Sequence, residues 1–222
     1  MSEAVRPAAI VFAGSGAVSP AVRAQLPGEA YVLAADSGLG VAQGLGVHVD
    51  RLVGDMDSVD AAAVDAAAAD GTEVERHPAE KDATDLELAL DAAVTRGARR
   101  VVVVDGGGDR LDHLLGNVLL LASPAFAGVS VESYTGAVRV AVARGGDAPL
   151  TITGAPGSLV SLLPVGGPAR GIVTTALRYP LPNEELTPGT SRGVSNELAA
   201  EVATVELASG VLLVVQPFGG AR

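Results

Sequence analysis

The sequence predicts an α/β N-terminal domain with a mostly parallel, doubly wound sheet, followed by a small all-β, sandwich-like C-terminal domain. Three observations predict it. Apolar runs rich in β-branched residues, without polar alternation, each end at glycine or aspartate; such runs suit parallel strands buried on both faces. Segments with helical repeats of leucine and alanine fill the gaps, and strand–helix alternation implies a wound α/β sheet. Beyond a Gly- and Pro-containing linker at residues 144–149 the helix signal fades, and short strands alternate with turn residues, as in a sandwich or barrel. The domains are therefore expected at 1–145 and 146–222.

The elements follow in order. Ala8–Ala13 is a strand ending at Gly14-Ser15-Gly16, and Tyr31–Ala35 is a second, ending at Asp36. Leu52-Val53 is a third, short strand before Gly54-Asp55, and the alanine-rich residues 59–69 form a helix. Thr84-x-x-Glu87 is a capping box, after which Leu86, Leu90 and Val94 share one helix face. Four valines at 101–104 make a strand ending at Asp105-Gly106-Gly107-Gly108. Leu111, Leu114, Leu115, Val118, Leu119 and Ala122 give a second apolar helix face, and residues 129–134 return to strand. In the second domain, strands are expected at 150–153, 158–163, 171–175, 202–207 and 211–215.

Composition narrows the function. The 222 residues are 48% hydrophobic, enough for a real core, but no apolar run approaches the roughly 20 residues of a membrane span. The absence of cysteine excludes disulfides and thiolate metal sites. Residues 1–7 lack the basic start and apolar stretch of a signal peptide, so the cytoplasm is expected. A net charge of -11 offers no basic stripe for nucleic acid. An acidic site also repels polyphosphate unless a divalent cation lies between them, so carboxylates plus phosphate imply Mg²⁺.

Lys81 is the only lysine. A compact ammonium and a guanidinium are not interchangeable where a phosphate is held by a point charge. It stands in Lys81-Asp82-Ala83-Thr84-Asp85, is expected exposed in a cleft, and keeps company with Asp36-Ser37-Gly38 and Gly54-Asp55-Met56-Asp57-Ser58. Asp36, Asp55 and Asp57 follow predicted strands, and α/β sheets bind ligands beyond the carboxyl ends of their strands. Structural roles stay open: Asp36 in a turn, Asp82 or Thr84 as a helix cap, Asp85 for the helix dipole. Gly106-Gly107-Gly108 suits either a phosphate cradle or a turn needed for geometry. Arg110 at the next helix start suits an anionic oxygen, and His113 suits a polar tether. Gly14-Ser15-Gly16 lacks the third glycine of a dinucleotide fingerprint, so NAD is not read from it.

In order, these motifs resemble the thiamine pyrophosphokinase (thiamine diphosphokinase) family: Asp36-Ser37-Gly38, Gly54-Asp55-Met56-Asp57-Ser58, Lys81-Asp82-Ala83-Thr84-Asp85, Arg110-Leu111-Asp112-His113 and Gly193-Val194-Ser195-Asn196-Glu197. Two departures stand out: Ser37 replaces a glycine, and the chain has no Trp for ring stacking on thiamine. The resemblance implies pyrophosphoryl transfer from ATP to the thiamine hydroxyl, releasing AMP. It implies that Asp55, Asp57 and Asp82 hold one or two Mg²⁺ ions and that Lys81 neutralises phosphate oxygens; Asp36 either orients the nucleophile or joins the metal shell, and the general base stays open, with Asp82 one candidate. It further implies a nucleotide site of Asp36, Thr84, Asp85, Arg110, Asp112 and His113. Ser195 and Asn196 would meet thiamine, in a homodimer whose cleft is shared. The alternatives are a relative acting on another alcohol such as a hydroxymethyl pterin, a phosphatase of the haloacid dehalogenase class, and a non-catalytic sensor of thiamine or nucleotide.

Overall fold

The structure is a computed structural model that describes residues 7–107 and 110–219. The chain divides into two compact units, residues 1–120 with 129–136, and residues 121–128 with 137–222. Among the described residues no helix is long and apolar enough to cross a membrane.

The first unit holds strands β1 (Ala8–Ala13), β2 (Tyr31–Ala35), β3 (Arg51–Gly54), β4 (Glu73–Arg76), β5 (Arg100–Asp105) and β6 (Ser130–Thr135). Its α-helices are α1 (Gly38–Gly44), α2 (Ala61–Ala69), α3 (Asp85–Thr95) and α4 (Leu111–Leu120). All strand pairs are parallel, in the order β6-β5-β1-β2-β3-β4. Strand order therefore reverses between β1 and β5, where parallel sheets open a ligand crevice. The apolar runs behave as expected: residues 9–13, 32–35 and 101–105 are buried without alternation. Phe12, Leu33, Leu52 and Leu90 are among the largest fully buried side chains.

Several elements differ from expectation for physical reasons. β4 reads Glu-Val-Glu-Arg and lies at the sheet edge, where charge discourages further pairing. Arg51 of β3 holds it by bonding Glu73 at 2.8 Å and Glu75 at 2.9 Å. α3 is capped by Thr84, whose Oγ1 accepts from Glu87 N at 3.2 Å. It buries Leu86, Ala89, Leu90 and Ala93, with Val94 only partly covered. α4 forms where its leucine pattern places it, yet it buries no residue. Leu111, Leu115 and Leu119 are 66%, 53% and 54% exposed along one face.

The second unit contains β7 (Val138–Arg144), β8 (Leu150–Thr153), β9 (Leu159–Pro164), β10 (Ala169–Thr175), β11 (Pro182–Leu186), β12 (Asn196–Glu197), β13 (Val202–Glu206) and β14 (Val211–Pro217). They pair antiparallel in two sets, β12-β9-β14-β7 and β11-β10-β13-β8. One apolar core joins the two sets, with Ile152, Ile172, Leu186 and Val205 meeting Val160, Leu162, Leu212 and Val214. β7 falls inside the segment 1–145 assigned to the first domain, but all seven of its residues pair with β14. Partly buried Arg144 also donates to the carbonyls of Leu121, Ala122 and Ser123.

Candidate active site

The acidic motifs of the first unit meet at the carboxyl ends of β2 and β3. Asp36 leaves β2 in a left-handed conformation, φ 46°, and its N–H donates to Val53 O at 2.9 Å. Left-handed backbone is costly for non-glycine residues, least so for Asp and Asn, and such strain gathers at functional sites. Gly38 opens α1, where a Cβ would run into the backbone of Phe12. Ser37, by contrast, sits at φ -56°, a right-handed position that needs no glycine. The departure from the family motif at Ser37 is thus structurally silent.

β3 ends at Gly54, φ 150°, where a Cβ would stand 3.1 Å from Asp85 Oδ1 and 3.2 Å from Asp36 Cβ. Asp55 follows and closes a turn, its Oδ1 accepting from Asp57 N at 3.1 Å. Met56 between them is buried with φ 66°. One carboxylate oxygen from each of Asp36, Asp55 and Asp57 lies within 4.8 Å of the others. Asp36 Oδ1 is buried and accepts no hydrogen bond. Burial pushes the Asp36 carboxyl above its ordinary pKa, and the charges of Asp85 and Asp55 push it further; Ser58 and the Ser37 N–H oppose them. Ser58, outside the expected site, also donates to Asp57 Oδ1 at 2.9 Å.

Lys81 stands between two of these acids, its Nζ 3.3 Å from Asp55 Oδ2 and 3.1 Å from Asp85 Oδ1. Its side chain is 15% exposed, so it is largely covered rather than open in a cleft. Burial works against its charge, but Asp85 and Asp55 outweigh burial and hold the ammonium above its ordinary pKa. Asp55 is held below the usual carboxylate range, first by the Asp57 N–H and then by Lys81. Asp82 is exposed and lies outside the three-carboxylate group, in which Asp36 stands instead. Thr84 spends its hydroxyl on the α3 cap.

Arg110, just before α4, and Asp112 in its first turn form an exposed pair at 2.6 Å, and the hydrogen bond lowers the Asp112 carboxyl to about 2. His113 is exposed in the first turn of α4. Gly108, the last glycine of the expected phosphate cradle, and Asp109 lie outside the described residues.

In the second unit the Ser195-Asn196 pair divides. Ser195 is exposed with φ 57°, and its N–H donates to Ser161 Oγ at 3.1 Å. Asn196 is 2% exposed and fully engaged. Its amide donates to Tyr179 O at 2.7 Å, and its oxygen accepts from Tyr179 N at 3.0 Å and Glu197 N at 2.9 Å. That clasp holds the backbone of Tyr179, a residue with no signal in the sequence motifs, which is 48% exposed. The Arg178 guanidinium lies 5.5 Å from the ring centroid and pairs with Glu197 at 2.7 Å.

Comparison with known proteins follows the same division. Residues 23–132 match the family described as thiamin pyrophosphokinase, catalytic domain, and residues 150–212 match thiamin pyrophosphokinase, vitamin B1 binding domain. A thiamine pyrophosphokinase of Bacillus subtilis (strain 168) is 26% identical over 163 residues, covering 73% of this chain and 76% of its own. A crystal structure of thiamin pyrophosphokinase from Geobacillus thermodenitrificans is 30% identical, with TM-score 0.75, covering 96% of this chain and 98% of its own. A Bacillus subtilis structure of the same description aligns with TM-score 0.82 at 24% identity, covering 96% and 99% of the two chains.

Proposed function

The chain belongs to the thiamin pyrophosphokinase family, and from that membership we propose that it transfers a pyrophosphoryl group from ATP to the hydroxyl of thiamine in a Mg²⁺-dependent reaction. The products are thiamine diphosphate and AMP. In the reaction the thiamine hydroxyl oxygen bonds to the β-phosphorus, the bond from that phosphorus to the AMP oxygen breaks, and the hydroxyl proton leaves. There is little covalent work for the protein, so its task is positioning and charge neutralisation.

The observation that carries this reading is the convergence of Asp36, Asp55 and Asp57 beside the lone lysine. The orphaned, buried Asp36 oxygen and two further carboxylate oxygens fit a hard, oxygen-seeking cation. Asp36, Asp55 and Asp57 would hold Mg²⁺, in place of the Asp55, Asp57 and Asp82 set. When bound, the ion supplies positive charge to phosphate oxygens. Lys81 adds a fixed, partly desolvated ammonium, kept protonated by Asp55 and Asp85, to meet negative charge that builds toward AMP. Asp82, exposed and next in sequence to Lys81, accepts the hydroxyl proton in this reading. Arg110 offers a guanidinium to the nucleotide, and Asp112 orients it.

On the second unit, Ser195 and the Tyr179 ring form the thiamine contact, with Asn196 holding the Tyr179 backbone in place. An exposed aromatic face attracts a cationic ring, which suits the thiazolium. The leucine stripe of α4 supports a homodimer, because three exposed leucines on one face are apolar surface that a second copy would cover. Sedimentation of Leu115→Glu with Leu119→Glu checks this, and a dimer unchanged by both removes α4 from the interface.

The test is incubation of the protein with Mg-ATP and thiamine, followed by chromatography of the nucleotides. AMP and thiamine diphosphate should appear together and vanish with EDTA. ADP or free phosphate in their place refutes the reading.

A further inference from the structure

Only two carboxylates are buried among the described residues, and one of them, Asp105, lies outside the acidic cluster. It ends β5 and is 2% exposed. Both of its oxygens are used: Oδ1 accepts from Gly107 N at 2.7 Å, and Oδ2 accepts from Asn117 Nδ2 of α4 at 3.1 Å. The loop after β1 closes against the same group. A Cβ on Gly14 would run into Asp105 Oδ1 and the Gly107 carbonyl, and one on Gly16 would run into the Gly106 carbonyl. Gly106 N in turn donates to Ala13 O at 2.9 Å. Two backbone loops are thus locked face to face where the strand order reverses, with Asp105 between them.

The other end of this arrangement is α4. A helix is normally placed by its buried face, as α3 is by Leu86, Ala89, Leu90 and Ala93. α4 buries no residue against its own chain, so packing within the protomer does little to fix it. Asn117 ties it to the sheet through Asp105. The same helix carries Asp112 and His113 in its first turn and follows directly on Arg110.

We infer that Asp105 and Asn117 are positioning residues for the nucleotide: their hydrogen bond sets where α4 presents Arg110, Asp112 and His113. Neither touches substrate in this assignment. The inference rests on the proposed function for the identity of the nucleotide, ATP.

The experiment is steady-state kinetics with ATP and thiamine varied separately, together with hydrogen exchange of the α4 amides. Asn117→Ala should raise KM for ATP about tenfold, the scale of one lost hydrogen bond to a charged group. The KM for thiamine and kcat should stay within about twofold, and α4 amides should exchange faster. Thr72→Val is the control: it removes a buried hydrogen bond to Val49 O, 2.7 Å, elsewhere in the same unit. It should lower Tm without moving KM for ATP. The swap Asp105→Asn with Asn117→Asp reverses donor and acceptor, so it should restore KM for ATP to within about twofold of wild type. An unchanged KM for ATP in folded Asn117→Ala overturns the inference, and so does a swap that fails to rescue. Product analysis of the wild type tests the proposed reaction by itself. If that reaction fails, equilibrium binding of Mg-ATP to the same variants still decides the role of the tether.

Discussion

Asp36→Asn should make the metal-free protein more stable while removing its response to Mg²⁺. Asparagine tolerates the left-handed φ of 46° as well as aspartate does, so the change adds no backbone strain. What it removes is charge. Oxygens of Asp36, Asp55 and Asp57 lie within 4.8 Å of one another. Two unit charges at that separation repel by about 3.5 kcal/mol at an effective dielectric constant of about 20. Asp57 is exposed and Lys81 offsets part of the charge on Asp55, so the relief reduces to about 1 kcal/mol once solvent and counter-charge are allowed for. In a protein of this size that is about 2–4 °C in Tm. Mg²⁺ at about a hundred times its Kd stabilises by about 2.7 kcal/mol, so the wild type should gain about 5–10 °C on adding it. Scanning calorimetry with and without Mg²⁺ reads both effects. An Asn variant that melts below wild type without metal, yet keeps the full Mg²⁺ shift, refutes the placement of Asp36 in the cation site.

The other predictions use the same geometry. Lys81→Arg keeps the charge but not the compact ammonium that fits between Asp55 and Asp85, so kcat should fall by at least about tenfold in the thiamine assay; near-normal turnover removes its assigned role. Asn196→Ala strips three hydrogen bonds from a buried position and should cost about 2–3 kcal/mol in denaturant melts. Exposed Ser195→Ala should leave stability alone and raise KM for thiamine; equal stability losses in the two would contradict the division drawn between them. Gly54→Ala forces a side chain into a φ of 150° against Asp85 and Asp36. It should cost about 1–3 kcal/mol and weaken the Mg²⁺-induced rise in Tm, and an unchanged rise would show that the site does not depend on that turn.

Much of the fold was legible because its strands are buried on both faces. Residues 101–104 are four valines with no polar partner, and no surface element explains such a run. β4 was not legible, since Glu-Val-Glu-Arg reads as surface and becomes a strand only by pairing with β3 through Arg51. α1 was hidden by its glycines, one of which is required by the approach of Phe12. The leucine period of α4 was plain, but periodicity shows that a face exists and not what covers it. At the site, motif order groups Asp55, Asp57 and Lys81, and the structure sets Lys81 3.3 Å from Asp55, with Asp57 in the same carboxylate group. That Asp36 and not Asp82 lies beside Asp55 and Asp57 was not legible, because it depends on a left-handed turn after β2 that buries Asp36 while Asp82 stays in solvent. Asn196 looked like a ligand contact; its hydrogen bonds to the Tyr179 backbone lie seventeen residues away and leave no local signal.

The lone lysine has a practical consequence for anyone handling the protein. With one ε-amine in the chain, any reagent that modifies a lysine modifies Lys81, the residue the proposed reaction sets against the phosphates, whether the reagent is an acylating dye, a biotin ester or an amine-coupling sensor chip. The ion pairs to Asp55 and Asp85 keep that amine protonated, so near neutral pH an ester should tag the chain's α-amine first and spare activity. At more alkaline pH the same ester should reach Lys81 and silence the enzyme, with a stoichiometry of one and ATP as the protecting agent.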